Sequence, residues 1–174
     1  MSLLSCEVPD EIRRVVSHRC NAFVASSSPF KPTRSFANFM KRTRLLNSEL
    51  CYEISRLGHT ASITLCDAGL PIPSGVKRID LAIEDGYPSF LRTLDAILSE
   101  LKVEEIVIAS EMHDRNQLLF EQMMKLFEAH LMAPKITEVS HVEFKQRTED
   151  SEAVVRTGEC TPYANVILKS GVVF

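Results

Sequence analysis

From residue 47 onward, short apolar runs alternate with longer stretches in which apolar residues recur every three or four positions. The short runs are typical of buried strands, and the longer stretches are typical of helices with one apolar face. The first helix can be capped by Asn47 or Ser48, and Gly58 stands where a C-terminal glycine belongs. The predicted elements are helices 48–57, 88–101, 116–128 and 141–145, and strands 63–66, 79–83, 103–109, 135–139, 153–156 and 166–168. This alternation predicts an α/β fold, a single layered domain with a mostly parallel sheet flanked by helices.

The first 39 residues lack this pattern and are rich in Ser, Arg and Phe. We predict that residues 1–39 form a flexible N-terminal extension and that residues 40–174 form one domain. With 174 residues and 45% hydrophobic content, the chain has enough apolar material for one compact core. Met40 could be an internal start of translation, and an organelle-targeting peptide is the alternative interpretation of the extension.

The distribution of charge argues against a nucleic-acid partner. The net charge is -3, but residues 1–44 carry eight Lys and Arg against three acidic residues, so the remaining chain is strongly acidic. An acidic surface repels phosphate backbones. We therefore expect no nucleic acid among the partners.

The five cysteines are odd in number and lack the paired spacings of a zinc site or a disulfide framework. They predict reduced thiols in a cytoplasmic protein. No apolar run approaches the length of a membrane span, and no signal-peptide pattern is present, so we expect no membrane association.

Two polar residues flank the first predicted strand. His59 lies between a helix end and that strand, where an imidazole can transfer protons near neutral pH if the fold delivers it to a pocket. Asp67 follows the strand and precedes a proline-rich loop. Each residue also has a structural interpretation: His59 as a surface or capping histidine, and Asp67 as a hydrogen-bond acceptor for amides of the loop. A straight strand would separate the two by about 20 Å, so contact between them requires a bend or a neighbouring subunit.

Two further candidates lie later in the chain. His141 begins a short predicted helix, where a histidine is usually only a polar boundary residue. Tyr163 and Asn165 point the same way if their segment is extended. A tyrosine ring beside an amide can hold a sugar by stacking and hydrogen bonding, although an edge loop with a core tyrosine fits the spacing equally well.

Several cofactor motifs are missing from the sequence. It has no Gly-rich dinucleotide or phosphate loop, no His-Glu-x-x-His motif and no Gly-x-Ser-x-Gly motif. The five histidines are too scattered to propose a metal cluster. We therefore predict no cofactor and no metal.

Three blocks of residues give the chain a resemblance to a known family. They are 46–60, which ends in Arg-Leu-Gly-His-Thr; 66–73, Cys-Asp-Ala-Gly-Leu-Pro-Ile-Pro; and 156–165, Arg-Thr-Gly-Glu-Cys-Thr-Pro-Tyr-Ala-Asn. With these blocks, in this order and at these intervals, residues 45–174 resemble the D-ribose pyranase family. The first 39 to 40 residues have no counterpart in that family.

The resemblance implies a role for each matching residue. His59 matches the catalytic histidine, Asp67 a substrate-binding aspartate and His141 a second binding histidine. The tripeptide Tyr163, Ala164 and Asn165 matches a sugar-binding segment. The resemblance also implies a ring-like homo-oligomer, a decamer, with pockets at subunit contacts. The sequence departs from the family at residues 113–116, where relatives often carry His-Asn-Pro, and this bears on secondary contacts or on the preferred sugar.

The implied activity is that of an isomerase that interconverts the pyranose and furanose forms of free D-ribose by opening and reclosing the ring. Both steps are proton transfers, which one imidazole can perform without a cofactor. Two alternatives stay open: an L-fucose-type mutarotase, and a non-catalytic sugar-binding accessory of ribose uptake.

Overall fold

The computed structural model describes Lys41 and residues 43–173. The predicted extension over residues 1–39 lies outside these residues. In chain order the helices and strands are α1 Ser48–Arg56, β1 Ser62–Cys66, β2 Lys77–Asp80, α2 Phe90–Leu98, β3 Val103–Ala109, α3 Ser110–Arg115, α4 Gln117–Ala129, β4 Lys135–Val139, α5 His141–Arg147, β5 Ala153–Arg156 and β6 Val166–Ser170. A 3-10 turn, Thr148–Asp150, follows α5.

The strands form one sheet in the order β2-β5-β1-β6-β3-β4. Strand β1 is parallel to β5, β5 to β2, and β3 to β4. Strand β6 lies between β1 and β3 and is antiparallel to both. The predicted mostly parallel sheet flanked by helices is therefore confirmed, with β6 as the strand of opposite direction. Because the other strands run the same way, their carboxyl ends share one edge of the sheet.

Both faces of the sheet are covered. One face packs Ile63, Leu65, Ile106 and Ile108 against Phe90 and other residues of α1, α2 and α4. The opposite face packs Cys66, Val107, Val154 and Ile167 against Phe144 of α5. Neighbouring strand residues alternate between the two cores because successive side chains of a strand point to opposite faces.

Local capping explains where three helices begin. The Asn47 side chain accepts the N–H of Leu50 at 2.9 Å, which confirms the predicted cap of α1. Ser89 and Ser140 play the same part for α2 and α5. At the other end of α1, Gly58 does not take the left-handed conformation, which occurs instead at Thr60 with φ 67°.

Other predicted bounds shift. The predicted strand 79–83 is β2, Lys77–Asp80, because pairing with β5 sets its register. The helix predicted over 88–101 ends at Leu98. Helix α3 was not predicted.

Candidate active site

A pocket of about 490 Å³ opens at the carboxyl-end edge of the sheet. Its walls come from the loop 67–71 after β1, from the first turns of α5, and from the loop 159–163 that precedes β6. In open α/β sheets, ligands bind in the crevice outside the carboxyl ends of the strands. The pocket has this position.

Asp67 and Asn165 form a buried pair beside the pocket. Asp67 is 9% exposed and Asn165 is fully buried. The Asn165 amide donates to Asp67 Oδ2 at 2.9 Å, and its Oδ1 accepts the N–H of Asp67 at 3.0 Å. The other carboxylate oxygen accepts the N–H of Gly69 at 2.9 Å. Each carboxylate oxygen can accept a further bond, so Asp67, which lines the pocket, can still bind a hydroxyl group.

His141 and Tyr163 form a second wall of the pocket. Their rings meet edge to face with centroids 5.0 Å apart. The Nδ1 atom of His141 is buried and has no hydrogen-bond partner among the described residues. Burial and the nearby charge of Lys145 lower the pKa of His141 below its ordinary value. A neutral imidazole has one nitrogen that donates and one that accepts, so the ring of His141 can bond a hydroxyl group in the pocket.

The loop that carries Tyr163 is not extended, contrary to the assumption under which Tyr163 and Asn165 would point the same way. Tyr163 has φ 65°, in the left-handed region, and the chain turns there. The turn directs the tyrosine ring toward His141 and the Asn165 side chain toward Asp67. Ala164, between them, is fully buried in the core, so its side chain does not line the pocket.

Lys145 and Glu159 also line the pocket, and neither was a sequence candidate. Burial alone would raise the pKa of Glu159, but hydrogen bonds from Thr161 and from the N–H of Phe90 lower it below the ordinary value. Glu159 therefore ties its own loop to the start of α2. Glu159 belongs to the Thr-Gly-Glu-Cys-Thr segment, but the sequence did not indicate its bond to Phe90, because the two residues are 69 positions apart.

A third unpredicted residue supports His141. The Glu111 carboxylate accepts the N–H of His141 at 3.0 Å and 3.2 Å. Hydrogen bonds from its own N–H and from that of His141 outweigh the effect of burial and lower the pKa of Glu111. Because Glu111 belongs to α3, which has only one buried residue, no periodic pattern pointed to it.

His59 lies apart from this group. It precedes β1 whereas Asp67 follows it, and His59 is not among the residues that line the pocket. Its side chain is 54% exposed, and its Nε2 atom lies 3.0 Å and 3.1 Å from the two carboxylate oxygens of Glu104. The fold thus brings together Asp67, His141, Tyr163 and Asn165 but leaves His59 at the opposite edge of the sheet.

The pocket offers two carboxylates, an imidazole, a phenol, an ammonium group and apolar walls to a small ligand. In the part of the chain that the structure describes, no three His, Cys, Asp or Glu side chains gather as a metal site would require. None of the described helices is both long enough and apolar enough to cross a membrane.

The fold and the pocket define a small mixed α/β protein with a cleft that combines charged and polar side chains with apolar walls. The chain belongs to the RbsD / FucU transport protein family, whose model matches residues 40–173. The predicted family is therefore confirmed.

Three similar proteins place the chain within that family. A D-ribose pyranase of Rhodopirellula baltica is 92% identical over 135 residues, which cover 78% of this chain and 100% of the relative. The structure of Bacillus subtilis RbsD complexed with D-ribose has a TM-score of 0.72 at 44% identity and covers 78% of this chain and 100% of that one. The fucose mutarotase of Streptococcus pneumoniae, in complex with L-fucose, has a TM-score of 0.64 at 27% identity, covering 73% and 94%.

Proposed function

We propose that the protein is an isomerase that interconverts the pyranose and furanose forms of D-ribose. The observation that carries this proposal is the pocket at the carboxyl ends of the strands, which Asp67, His141 and Tyr163 line, in a chain that is 92% identical to a D-ribose pyranase. The similar Bacillus subtilis protein binds D-ribose, which supports the choice of sugar.

The reaction needs only proton transfer. A base takes the proton of the anomeric hydroxyl while an acid protonates the ring oxygen, and the hemiacetal opens to the aldehyde. Rotation of the carbon chain then lets the 4-hydroxyl attack C1 in place of the 5-hydroxyl, and the furanose closes. No atom is lost and no electron changes hands, so the proposal requires no cofactor.

The pocket residues would hold the sugar during this rotation. We assign substrate binding to Asp67, His141, Tyr163, Ala164 and Asn165. Asp67 would accept from sugar hydroxyls, and the neutral His141 would contact them through its imidazole ring. Asn165 would act chiefly by orienting the Asp67 carboxylate, and Ala164 through its backbone. Tyr163 would offer its ring to the C–H face of the sugar.

We assign the proton transfer to His59. Within one chain β1 separates His59 from the pocket, and a five-residue strand alone spans about 16 Å. The proposal therefore includes a ring-like homo-oligomer, a decamer, in which His59 of one subunit reaches the pocket of the next. The exposure of the His59 side chain leaves it free to do so. The cytoplasmic location expected from the cysteines stays a prediction.

Saturation-transfer NMR on D-ribose tests the proposal. Wild type should accelerate the exchange between pyranose and furanose signals, and His59→Ala should lose about 10²- to 10⁴-fold of that acceleration while remaining folded. His130→Ala is the matched control, because His130 is also bonded to a carboxylate, that of Asp95 at 2.9 Å, but has no proposed role with sugar. Tight ribose binding without any acceleration by wild type would favour a non-catalytic sugar-binding accessory instead, and full acceleration in His59→Ala would assign the proton transfer to another residue.

The similarity to a fucose mutarotase supports a second candidate activity. Ring opening followed by closure on the other anomeric face uses the same proton transfers. The same NMR experiment on L-fucose separates the two, because faster exchange of the fucose anomers than of the ribose ring forms would make mutarotation the main activity.

A further inference from the structure

The imidazole of His59 is hydrogen-bonded to the carboxylate of Glu104, which was not a candidate from the sequence. Nε2 of His59 lies 3.0 Å from Oε1 and 3.1 Å from Oε2 of Glu104. A carboxylate only accepts hydrogen bonds, so the hydrogen of this contact belongs to Nε2. No other hydrogen bond to the ring of His59 occurs among the described residues, which leaves Nδ1 as the free nitrogen.

The backbone around His59 is fixed by one residue, Ser170, at the end of β6. Ser170 accepts the N–H of Thr60 at 3.1 Å and donates its own N–H to Ala61 at 2.9 Å. Its hydroxyl donates to the carbonyl oxygen of Gly58. Thr60 is held at φ 67°, an unfavourable conformation for a β-branched residue, which persists only where the surroundings impose it.

The next residue, Gly171, fixes the other half of the pair. A Cβ atom at Gly171 would lie 3.1 Å from Cβ and 3.3 Å from Oε2 of Glu104, so the backbone passes close beside this carboxylate. The N–H of Gly171 is bonded to the carbonyl oxygen of Lys102, two residues before Glu104. The imidazole and its carboxylate are therefore both seated on the end of β6.

From this geometry we infer that Glu104 is a positioning residue for His59, an inference that rests on the proposed function. Glu104 holds the Nε2–H bond and so makes Nδ1 the nitrogen that exchanges a proton with the sugar. When Nδ1 has taken that proton, the carboxylate stabilises the resulting imidazolium. Asp and Glu partners orient catalytic and metal-binding histidines in the same way elsewhere.

The first test reads the tautomer in the absence of sugar. Magic-angle-spinning NMR of 15N-histidine-labelled protein, with His59 assigned by difference from His59→Ala, should show a protonated Nε2 and a bare Nδ1 in the neutral ring. A neutral ring with the proton on Nδ1 would overturn the inference. This result does not depend on activity, whereas a failure of wild type to accelerate ribose exchange would overturn the proposed function.

The second test separates kcat from KM. Glu104→Gln keeps the shape of the side chain but removes its charge, so kcat for ring exchange should fall about 10- to 100-fold while KM stays within about twofold of wild type. The matched control is Glu105→Gln, on the same strand, whose carboxylate contacts Thr137 and Lys169 instead of His59 and whose kcat should be unchanged. An unchanged kcat in Glu104→Gln, alongside an inactive His59→Ala, would refute the role of Glu104 alone.

Discussion

Asp67 and Asn165, 98 residues apart in the chain, are joined by two reciprocal hydrogen bonds in a buried position. The pair ties the end of β1 to the residue that precedes β6. These two hydrogen bonds thus link a residue that lines the pocket to the start of a central strand of the sheet.

Loss of this connection should lower both stability and sugar binding. Asn165→Ala removes both bonds and leaves buried groups of Asp67 unpaired, so we expect the free energy of unfolding to fall by about 3 kcal/mol. Urea denaturation measures it. In a double-mutant cycle with Asp67→Ala, the two changes should be coupled by at least about 1 kcal/mol. Additive effects would show that the bond between the two side chains contributes little, since Asp67→Ala keeps the backbone N–H that donates to Asn165.

His141 should make stability depend on pH. The pKa of His141 in the folded protein is lower than the ordinary value of 6.5. Just below pH 6.5, therefore, the imidazole is protonated in the unfolded chain but still neutral in the folded protein. The stability associated with His141 is therefore present above pH 6.5 and is lost as the pH falls through the folded pKa.

The measurement compares denaturation of wild type and His141→Gln across this range. The stability of wild type relative to the variant should fall as the pH is lowered below 6.5. The exposed His113→Gln controls for loss of an imidazole. Parallel pH profiles for wild type and His141→Gln would contradict the lowered pKa.

Gly158 should be hard to replace. A Cβ atom there would collide with the carbonyl oxygens of Glu84 and Tyr87, which are backbone atoms and cannot move aside cheaply. We expect Gly158→Ala to lower the free energy of unfolding by about 1 to 3 kcal/mol, as for other overpacked sites. Gly75→Ala is the matched control, because nothing lies within 4 Å of its added Cβ. Equal thermal denaturation of the two variants would rule out the collision.

Arg115 should affect sugar binding without affecting chemistry. Its guanidinium carbon lies 5.7 Å from the centre of the Tyr163 ring, and the side chain of its neighbour Asn116 donates to the carbonyl oxygen of Pro162. Because an exposed cation–π contact contributes about a two- to fivefold change in an equilibrium constant, Arg115→Ala should raise KM by about that factor. We expect kcat to be unchanged. Lys125→Ala, on α4, is the control. A fall in kcat would place Arg115 in the proton-transfer step.

Local patterns predicted much of the fold. Three strands have the predicted bounds: Val103–Ala109, Lys135–Val139 and Ala153–Arg156. The first and third are largely buried runs, whereas Lys135–Val139 is mostly exposed. Strand β2 shifted because three of its four residues are exposed and its register comes from pairing with β5. Helix α3 was missed because a six-residue helix with one buried residue carries no periodic pattern.

The site was predictable only in part. Asp67 and Asn165 were both candidates, but their contact was not predicted, because it depends on the antiparallel pairing of β1 with β6. The support of His141 by Glu111 and the seating of Glu104 beside Gly171 depend on segments 30 or more residues apart. Such contacts follow from the path of the chain in three dimensions, and no spacing within the sequence encodes them.

The central, antiparallel position of β6 has a consequence for how the domain forms. Strands β1 and β2 pair with β5 and β6, which are synthesised much later. Among the strands that precede residue 153, only β3 and β4 pair with one another. The two halves of the sheet are united only when Val166–Ser170 inserts between β1 and β3. Strands β1, β2 and β5 can pair with one another before β6 is made, but the six-stranded sheet can be completed only after residues 166–170 have been synthesised.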